Sequence, residues 1–364
     1  MTMGGNGNGQ GSMSTGSGGH QPKAPDEPVS IESATGDAAR PTTAVLLIGY
    51  GGPDCLDSIE PFLRRLMGRE PTPEVLEEVR RRYLTIGGCS PMLPLAHELA
   101  AGIERRLMEK ELPVPVTFGM RYSQPFIGDV LRGMYAAGIR KVVTVQLSPY
   151  ESEISTAAAR EAVAEVLPEL PDMEVVRADL LHTLPAFAGL LTAGAATAIY
   201  EIKDLDPKLM IFTAHSLPVS DVEKDDSYVA QLREVLDRVV MGLQMGEGHD
   251  LDGSDPSLPG IQAYGNLGEP QPWVFAYQSK GRKPGAWLGP DLDDVIDAAI
   301  EGGYAGVALC PIGFAVENME TKYDLDVVAA DRLLQHDIEC IRADLPNAEP
   351  LMVEAIADMV ESLL

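Results

Sequence analysis

Short, unbroken apolar runs alternate along this chain with longer stretches in which apolar residues recur every three or four positions. The first run, Ala44-Val45-Leu46-Leu47-Ile48, stops at the turn cluster Gly49-Tyr50-Gly51-Gly52-Pro53. Such a run, bounded by glycine and proline, predicts a buried parallel strand that opens into a glycine loop. Helical spacing predicts helices over about 58–67, 73–83 and 94–109, with a second turn, Gly87-Gly88-Cys89-Ser90-Pro91, before the third. The alternation continues with strands predicted over 114–120, 141–147 and 175–178. Helices are predicted over 127–137, 155–166 and 185–201.

A second series opens with the same order of strand and turn. Leu209-Met210-Ile211-Phe212-Thr213-Ala214 predicts a strand ending at His215, followed by a helix over 228–243. Strands over 273–278 and 306–309 and helices over 291–301, 322–335 and 349–363 complete it. Strands separated by helical stretches define βαβ units and parallel sheets. The chain is therefore expected to be α/β, with two doubly wound, Rossmann-like domains over 41–190 and 191–364. The stretch 245–272 is rich in Gly, Pro and Asp and is expected to be a surface loop or insertion.

Composition narrows the function. The 364 residues carry a net charge of −27 and are 45% hydrophobic. So large an acidic excess argues against nucleic acid, whose phosphates require a basic face, and against an anionic membrane surface. No apolar run approaches the roughly 20 residues that span a bilayer. Residues 1–40 begin with eight glycines in the first 20 positions and carry no charge before Lys23, which predicts a disordered tail rather than a targeting segment. The four cysteines, Cys55, Cys89, Cys310 and Cys340, are too far apart in sequence for a local metal or iron–sulfur motif. They are expected to be buried free thiols in a reducing, cytoplasmic compartment.

Ligands of doubly wound folds sit outside the C-terminal ends of the strands. Three such loops carry unusual chemistry: Tyr50-Gly51-Gly52-Pro53, Thr213-Ala214-His215-Ser216-Leu217-Pro218 and Cys310-Pro311-Ile312-Gly313-Phe314. The glycine pair lets a ligand approach the backbone, but without G-x-G-x-x-G or Lys-Ser/Thr the nucleotide reading is weak. His215 carries the side chain that ordinarily exchanges protons near neutral pH, which suits a general base or a metal ligand. Glu317, Glu320 and Asp324 would fall on one face of an α-helix, where they could pass a cation or a proton along, or simply complement the helix dipole. Trp287 either lines a flat apolar site or pins its loop to the core.

Together these motifs resemble the ferrochelatase family over nearly all of 41–364. The matching pieces are LLIGYGGPD (46–54), GGCSP (87–91), MRYSQP (120–125), TAHSLP (213–218), YQSKG with WLGP (277–290) and PIGFAVENMETKYDLD (311–326), with LPNAEP (345–350) before the last helix. The resemblance implies two Rossmann-like domains with a porphyrin cleft between them, and insertion of Fe2+, as a substrate, into a porphyrin. It implies that His215 takes pyrrole protons or holds iron and that Glu320 stands opposite it. Tyr50 matches a tyrosine of the coproporphyrin type, and Arg82, Tyr83 and Ser90 match positions that hold propionates. It further implies a monomer with no permanently bound cofactor; the scattered cysteines argue against the [2Fe–2S] cluster that some members carry.

The chain departs from the family pattern in places. Asn318 stands where the family usually has histidine. Leu66 and Met67 replace arginines of the coproporphyrin type, Ala159 replaces a pocket aromatic, and Val328 replaces a further carboxylate of the relay. Coproporphyrin III is the leading substrate and protoporphyrin IX the alternative; cobalt or nickel chelation is a variant of the same class. A non-catalytic porphyrin or heme binder is the competing class, and retention of both His215 and Glu320 speaks against it. Charge is also uneven: residues 60–82 carry +1 and residues 291–364 carry −14. The asymmetry points to separate ends for porphyrin carboxylates and iron.

Overall fold

The apolar runs pair into two sheets, and the helices cover them. The computed structural model describes residues 41–222, 227–246, 249–251, 263–266, 271–281 and 283–364; the expected tail, 1–40, lies outside them. Chain order in the first half is β1 (Thr43–Gly49), α1 (Ile59–Met67), α2 (Pro73–Thr85), α3 (Met92–Glu109), β2 (Val116–Met120), α4 (Ile127–Ala136), β3 (Lys141–Gln146), α5 (Ala158–Val166), β4 (Glu174–Arg177) and α6 (Pro185–Glu201). The second half runs β5 (Lys208–His215), α7 (Val219–Val222), α8 (Ser227–Gly242), β6 (His249–Leu251), β7 (Ala263–Asn266), β8 (Trp273–Gln278), α9 (Leu292–Glu301) and β9 (Gly306–Cys310). A π-helix (Glu320–Ala329), α10 (Ala330–Leu334), β10 (Glu339–Arg342) and α11 (Pro350–Glu361) follow.

The first sheet has the order β2-β1-β3-β4 and every pair is parallel. The second has the order β10-β9-β5-β8-β7-β6, parallel from β10 to β8 and antiparallel beyond. Both faces of the central strands are covered, which is why their sequences do not alternate. Val45 and Leu47 of β1 enter one core, while Ala44, Leu46 and Ile48 enter another. In β5, Met210, Phe212 and Ala214 face one core and Leu209 and Ile211 the other. Full burial of each such side chain is worth about 1.5–3 kcal/mol.

One core is shared between the sheets. The Tyr150 hydroxyl, beyond β3, donates to the Ile312 carbonyl, beyond β9, at 2.7 Å. Helix α11 returns from the second sheet to lie on α3, where a Cβ on Gly102 would stand 3.0 Å from Val353. Arg106 of α3 is paired with Glu354, and Lys110 with Asp358 and Glu361.

The structure corrects four expectations. The stretch 245–272 contains β6 and β7, which extend the second sheet; its remainder is only partly described. Strand β10 was not expected, because Glu339-Cys340-Ile341-Arg342 is a polar edge strand without an apolar run. The helix expected over 322–335 is a π-helix that continues into α10. Cys55 and Cys89 are exposed; Cys310 is buried, Cys340 is half-buried, and all four are free. No described helix is long and apolar enough to cross a membrane.

Candidate active site

Strand β1 has β2 on one side and β3 on the other, and β5 likewise lies between β9 and β8. Each is therefore the strand where the winding of its sheet reverses, the point at which a crevice opens past the strand ends. Tyr50 directly follows β1, and His215 is the last residue of β5. The two sheets thus each contribute one chemically active side chain from the same topological position.

His215 is held on three sides. Its backbone pairs with Gln278 at the end of β8, and its carbonyl accepts the Tyr228 hydroxyl at 2.8 Å. Beneath it, Thr213 donates to the Gln278 side chain at 2.6 Å, and the Ser216 N–H donates to the Gln278 carbonyl at 2.8 Å. Nδ1 of His215 lies 2.5 Å from the Ser216 carbonyl oxygen. A carbonyl only accepts, so Nδ1 carries hydrogen and Nε2 of the neutral ring is left with a free lone pair.

Tyr50 packs at 4.8 Å and a tilt of 60° against Tyr122, which follows β2, within an apolar cluster that includes Tyr83, Leu66, Met67 and Met319. Burial raises the Tyr50 and Tyr83 phenols well above the ordinary tyrosine value, and the Glu320 carboxylate near both raises them further. Both are therefore protonated at neutral pH. Arg82, on the last turn of α2, pairs with Glu78 at 2.6 Å and lies 5.5 Å from the Tyr323 ring of the π-helix. Ser90 is 3% exposed; its hydroxyl accepts the Met92 N–H at 3.3 Å and lies beneath Gly52, where an added Cβ would come 2.5 Å from it. It holds the glycine loop from below. The expected arginine end is largely self-neutralised, since Arg64 pairs with Glu60 at 3.0 Å and Glu70 at 2.7 Å.

The π-helix sets the acidic wall. Residues four apart share a face along it, as they do in an α-helix, so Glu320 and Asp324 lie together, and Val328, 42% exposed, occupies the next position. Burial, together with the Glu320 charge, pushes Asp324 up to about 6 against the hydrogen bond from Ser279, the Arg82 charge and, when its ring is protonated, His215. Asp324 therefore connects electrostatically the groups from both halves of the chain. Glu317 does not join the expected row. It is buried, accepts the Thr321 hydroxyl at 2.5 Å and pairs with Arg342 at 2.9 Å. Asn318 opens the π-helix: its side-chain oxygen accepts the Thr321 N–H at 3.0 Å, and its own N–H donates to the Thr321 hydroxyl at 3.1 Å. Ala159 is buried in the core beside β1.

Trp287 pins its loop. Its indole N–H donates to the Lys283 carbonyl at 3.0 Å, its ring fills the space above Gly281, and its neighbour Leu288 donates to the Leu217 carbonyl at 2.9 Å. Sequence reasoning placed Asp324 in the acidic row but overlooked Ser279, Tyr122, Arg342 and Asn347. Tyr122, Ser279 and Asn347 carried a signal through their places in MRYSQP, YQSKG and LPNAEP; Arg342 carried none. Among the described residues, no group of three or more His, Cys, Asp or Glu could hold a metal ion.

An imidazole and phenols past the switch strands of two sheets, with two carboxylates on the neighbouring π-helix, supply the proton acceptors and cation ligands that a metal chelatase needs. The sequence model of the ferrochelatase family matches residues 42–364, and the chain belongs to that family. It is 28% identical over 327 residues to the coproporphyrin III ferrochelatase of Halalkalibacterium halodurans, covering 88% of this chain and 96% of that protein. It is 30% identical over 330 residues to the coproporphyrin III ferrochelatase of Propionibacterium freudenreichii, covering 88% and 87% respectively. Among solved structures, SirB from Bacillus subtilis with Fe3+ aligns at 11% identity and a TM-score of 0.49, covering 88% of this chain and 95% of that one.

Proposed function

We propose that this ferrochelatase binds coproporphyrin III in the cleft past β1 and β5 and inserts Fe2+ into it, giving coproheme. The observation that carries the reading is the gathering of Tyr50, Tyr83, Arg82, Glu320, Asp324 and His215 around one site, as the mutual effects on Tyr50, Tyr83 and Asp324 report. The relatives with the coproporphyrin name support the substrate.

Insertion releases the two pyrrole N–H protons and exchanges the metal's water for ring nitrogens. His215 Nε2 serves as base for the ring and as a ligand for incoming iron. Glu320 is the second metal and proton group, with Asp324 behind it as the next acceptor. Tyr50, with its phenol intact, would offer the metal a neutral oxygen. Arg82 and Tyr83 meet the propionates, and Ser90 acts on them through the loop it supports. The protein works as a monomer with no resident cofactor, in a reducing cytoplasm; cysteine usage supports that compartment. The domains are taken as 41–190 and 191–364.

A second reading has its own observation. Leu66 and Met67 turn apolar side chains into the cluster beside Tyr50, which favours a porphyrin with fewer carboxylates, such as protoporphyrin IX. Anaerobic metallation followed by absorbance separates the two. The first reading expects a higher kcat/KM for coproporphyrin III; a higher value for protoporphyrin IX reverses the substrate, and insertion into neither ends the reading.

A further inference from the structure

A cavity opens at the end of β2, the edge strand of the first sheet. Its volume is about 270 Å³, and its walls come from the end of β2, the start of α4, and parts of α1 and α5. That size is near the lower end of small-molecule sites. None of the side chains given above to the porphyrin or the metal lines it.

Three arginines line the cavity, and they differ in what they hold. Arg132 is fully engaged: Glu169 accepts from it at 2.8 and 2.9 Å, and Asp129 at 3.1 Å. Arg65 donates to the Pro61 carbonyl at 3.2 Å and lies 4.4 Å from the centre of the Phe126 ring. It has no carboxylate partner among the described residues. Arg121 has Glu165 only at 3.9 Å, beyond hydrogen-bond reach, and its buried Nε–H has no acceptor among the described residues. A guanidinium carries five N–H donors, so most of those on Arg65 and Arg121 are uncommitted within the protein. A buried donor without an acceptor is uncommon in a folded protein, and a bound ion is one of the partners that satisfies it.

The balance of charge limits which anion fits. Against the three arginines stand Asp129 and Glu165 in the same lining, so the surplus is a single positive charge. A phosphate dianion would exceed it. A carboxylate carries one charge, and its planar pair of oxygens matches the guanidinium fork. Much of the remaining wall is apolar, with Met120, Phe126, Ala162 and Val166, which suits a compact hydrocarbon body. Arg121 also lies 5.5 Å from the Tyr122 ring, which packs on Tyr50. The cavity thus adjoins the candidate active site.

We propose that this cavity is a carboxylate-binding site, in which Arg65 and Arg121 hold the head and the apolar wall takes a small hydrocarbon body. The carboxylate belongs either to a free small molecule or to a propionate arm of the porphyrin. The inference goes beyond the function proposed above and does not depend on iron insertion.

Sodium benzoate, a carboxylate on a flat apolar ring, is the probe. It is titrated into the full chain at constant ionic strength and followed by ligand-observed NMR. Wild type should bind one equivalent saturably, with a Kd on the order of 1–10 mM. Benzamide, which has nearly the same shape without the charge, should bind about tenfold more weakly or worse. Arg65→Gln and Arg121→Gln should each weaken benzoate by about tenfold or more, with Tm measured in parallel. Should Arg121→Gln fail to fold, Arg65→Gln decides, because Arg65 is exposed and loses no ion pair. Coproporphyrin III is then added at saturation to the benzoate-bound protein. Release of benzoate identifies the natural ligand as a propionate arm, and retention identifies it as a free carboxylate. No saturable binding to wild type, equal binding of benzamide, or unchanged benzoate affinity in the arginine variants overturns the inference. A wild type that binds benzoate but inserts no iron removes the proposed function and leaves this site standing.

Discussion

Ser279, in a left-handed backbone conformation, donates its hydroxyl to the Asp324 carboxylate at 2.5 Å. The bond ties the loop after β8 to the π-helix and opposes the burial that pushes Asp324 up to about 6. The ordinary aspartate value is 3.8, so folding favours the protonated carboxyl. The stabilisation is complete below 3.8 and is lost as pH rises through about 6. Asp324→Asn cannot ionise and still accepts from Ser279. It should therefore gain stability over wild type between about pH 4 and pH 7, by roughly 3 kcal/mol at most, given 1.36 kcal/mol per pH unit. Urea denaturation across that range checks this; a difference that does not vary with pH would refute it.

His215 is expected to govern chemistry rather than porphyrin binding, because its Nδ1 is occupied by the Ser216 carbonyl and only Nε2 is available. His215→Ala should reduce kcat by a factor of about 10²–10⁴ or more, the usual worth of a positioned general base. Porphyrin Kd should change little. Turnover at the wild-type rate would remove His215 as the base.

Tyr50 keeps its proton at neutral pH, since burial and the nearby Glu320 both disfavour the phenolate. It can offer the metal a neutral oxygen and takes no pyrrole proton. Tyr50→Phe should accordingly alter the absorption spectrum of the bound heme product more than the rate of its formation. An identical product spectrum would take Tyr50 out of the metal's coordination sphere.

What was legible in the sequence follows from what shapes each element. β1 and β5 could be read because burial on both faces demands an unbroken apolar run, and the residues just past that run, Tyr50 and His215, came with them. β10 could not, because a short edge strand needs no such run, and its Arg342 looked like any surface arginine. The π-helix cannot be told from an α-helix in the sequence, because both turns put residues about four apart on one face. Glu317 was expected in the acidic row, but the helix begins after it, and it pairs with Arg342 instead. Asn318 read as the loss of a histidine; its local bonds to Thr321 show that it starts the helix. The two exposed cysteines, Cys55 and Cys89, each follow a glycine pair, Gly51-Gly52 and Gly87-Gly88, and nothing in their spacing set them apart from the other two.

Gly313 links the third loop to the base, and its prediction is steric. Its N–H donates to the Thr213 carbonyl at 3.0 Å, and a Cβ placed on it would fall 2.5 Å from the Ala214 Cα and 2.6 Å from its Cβ. Backbone atoms cannot yield as a flexible side chain does, so the loop or the end of β5 must move. Because His215 is the next residue after Ala214, that movement carries the imbalance directly to the imidazole. Gly313→Ala should cost about 1–3 kcal/mol, the usual range for overpacking, and lower kcat as well. Gly133, exposed within α4 with open space around its Cβ position, is the control: Gly133→Ala should leave kcat unchanged and raise stability by about 0.5–1 kcal/mol. Thermal unfolding and metallation rates of the two variants decide the matter. A Gly313→Ala protein with wild-type Tm and kcat would mean that the loop can withdraw from β5 without disturbing His215.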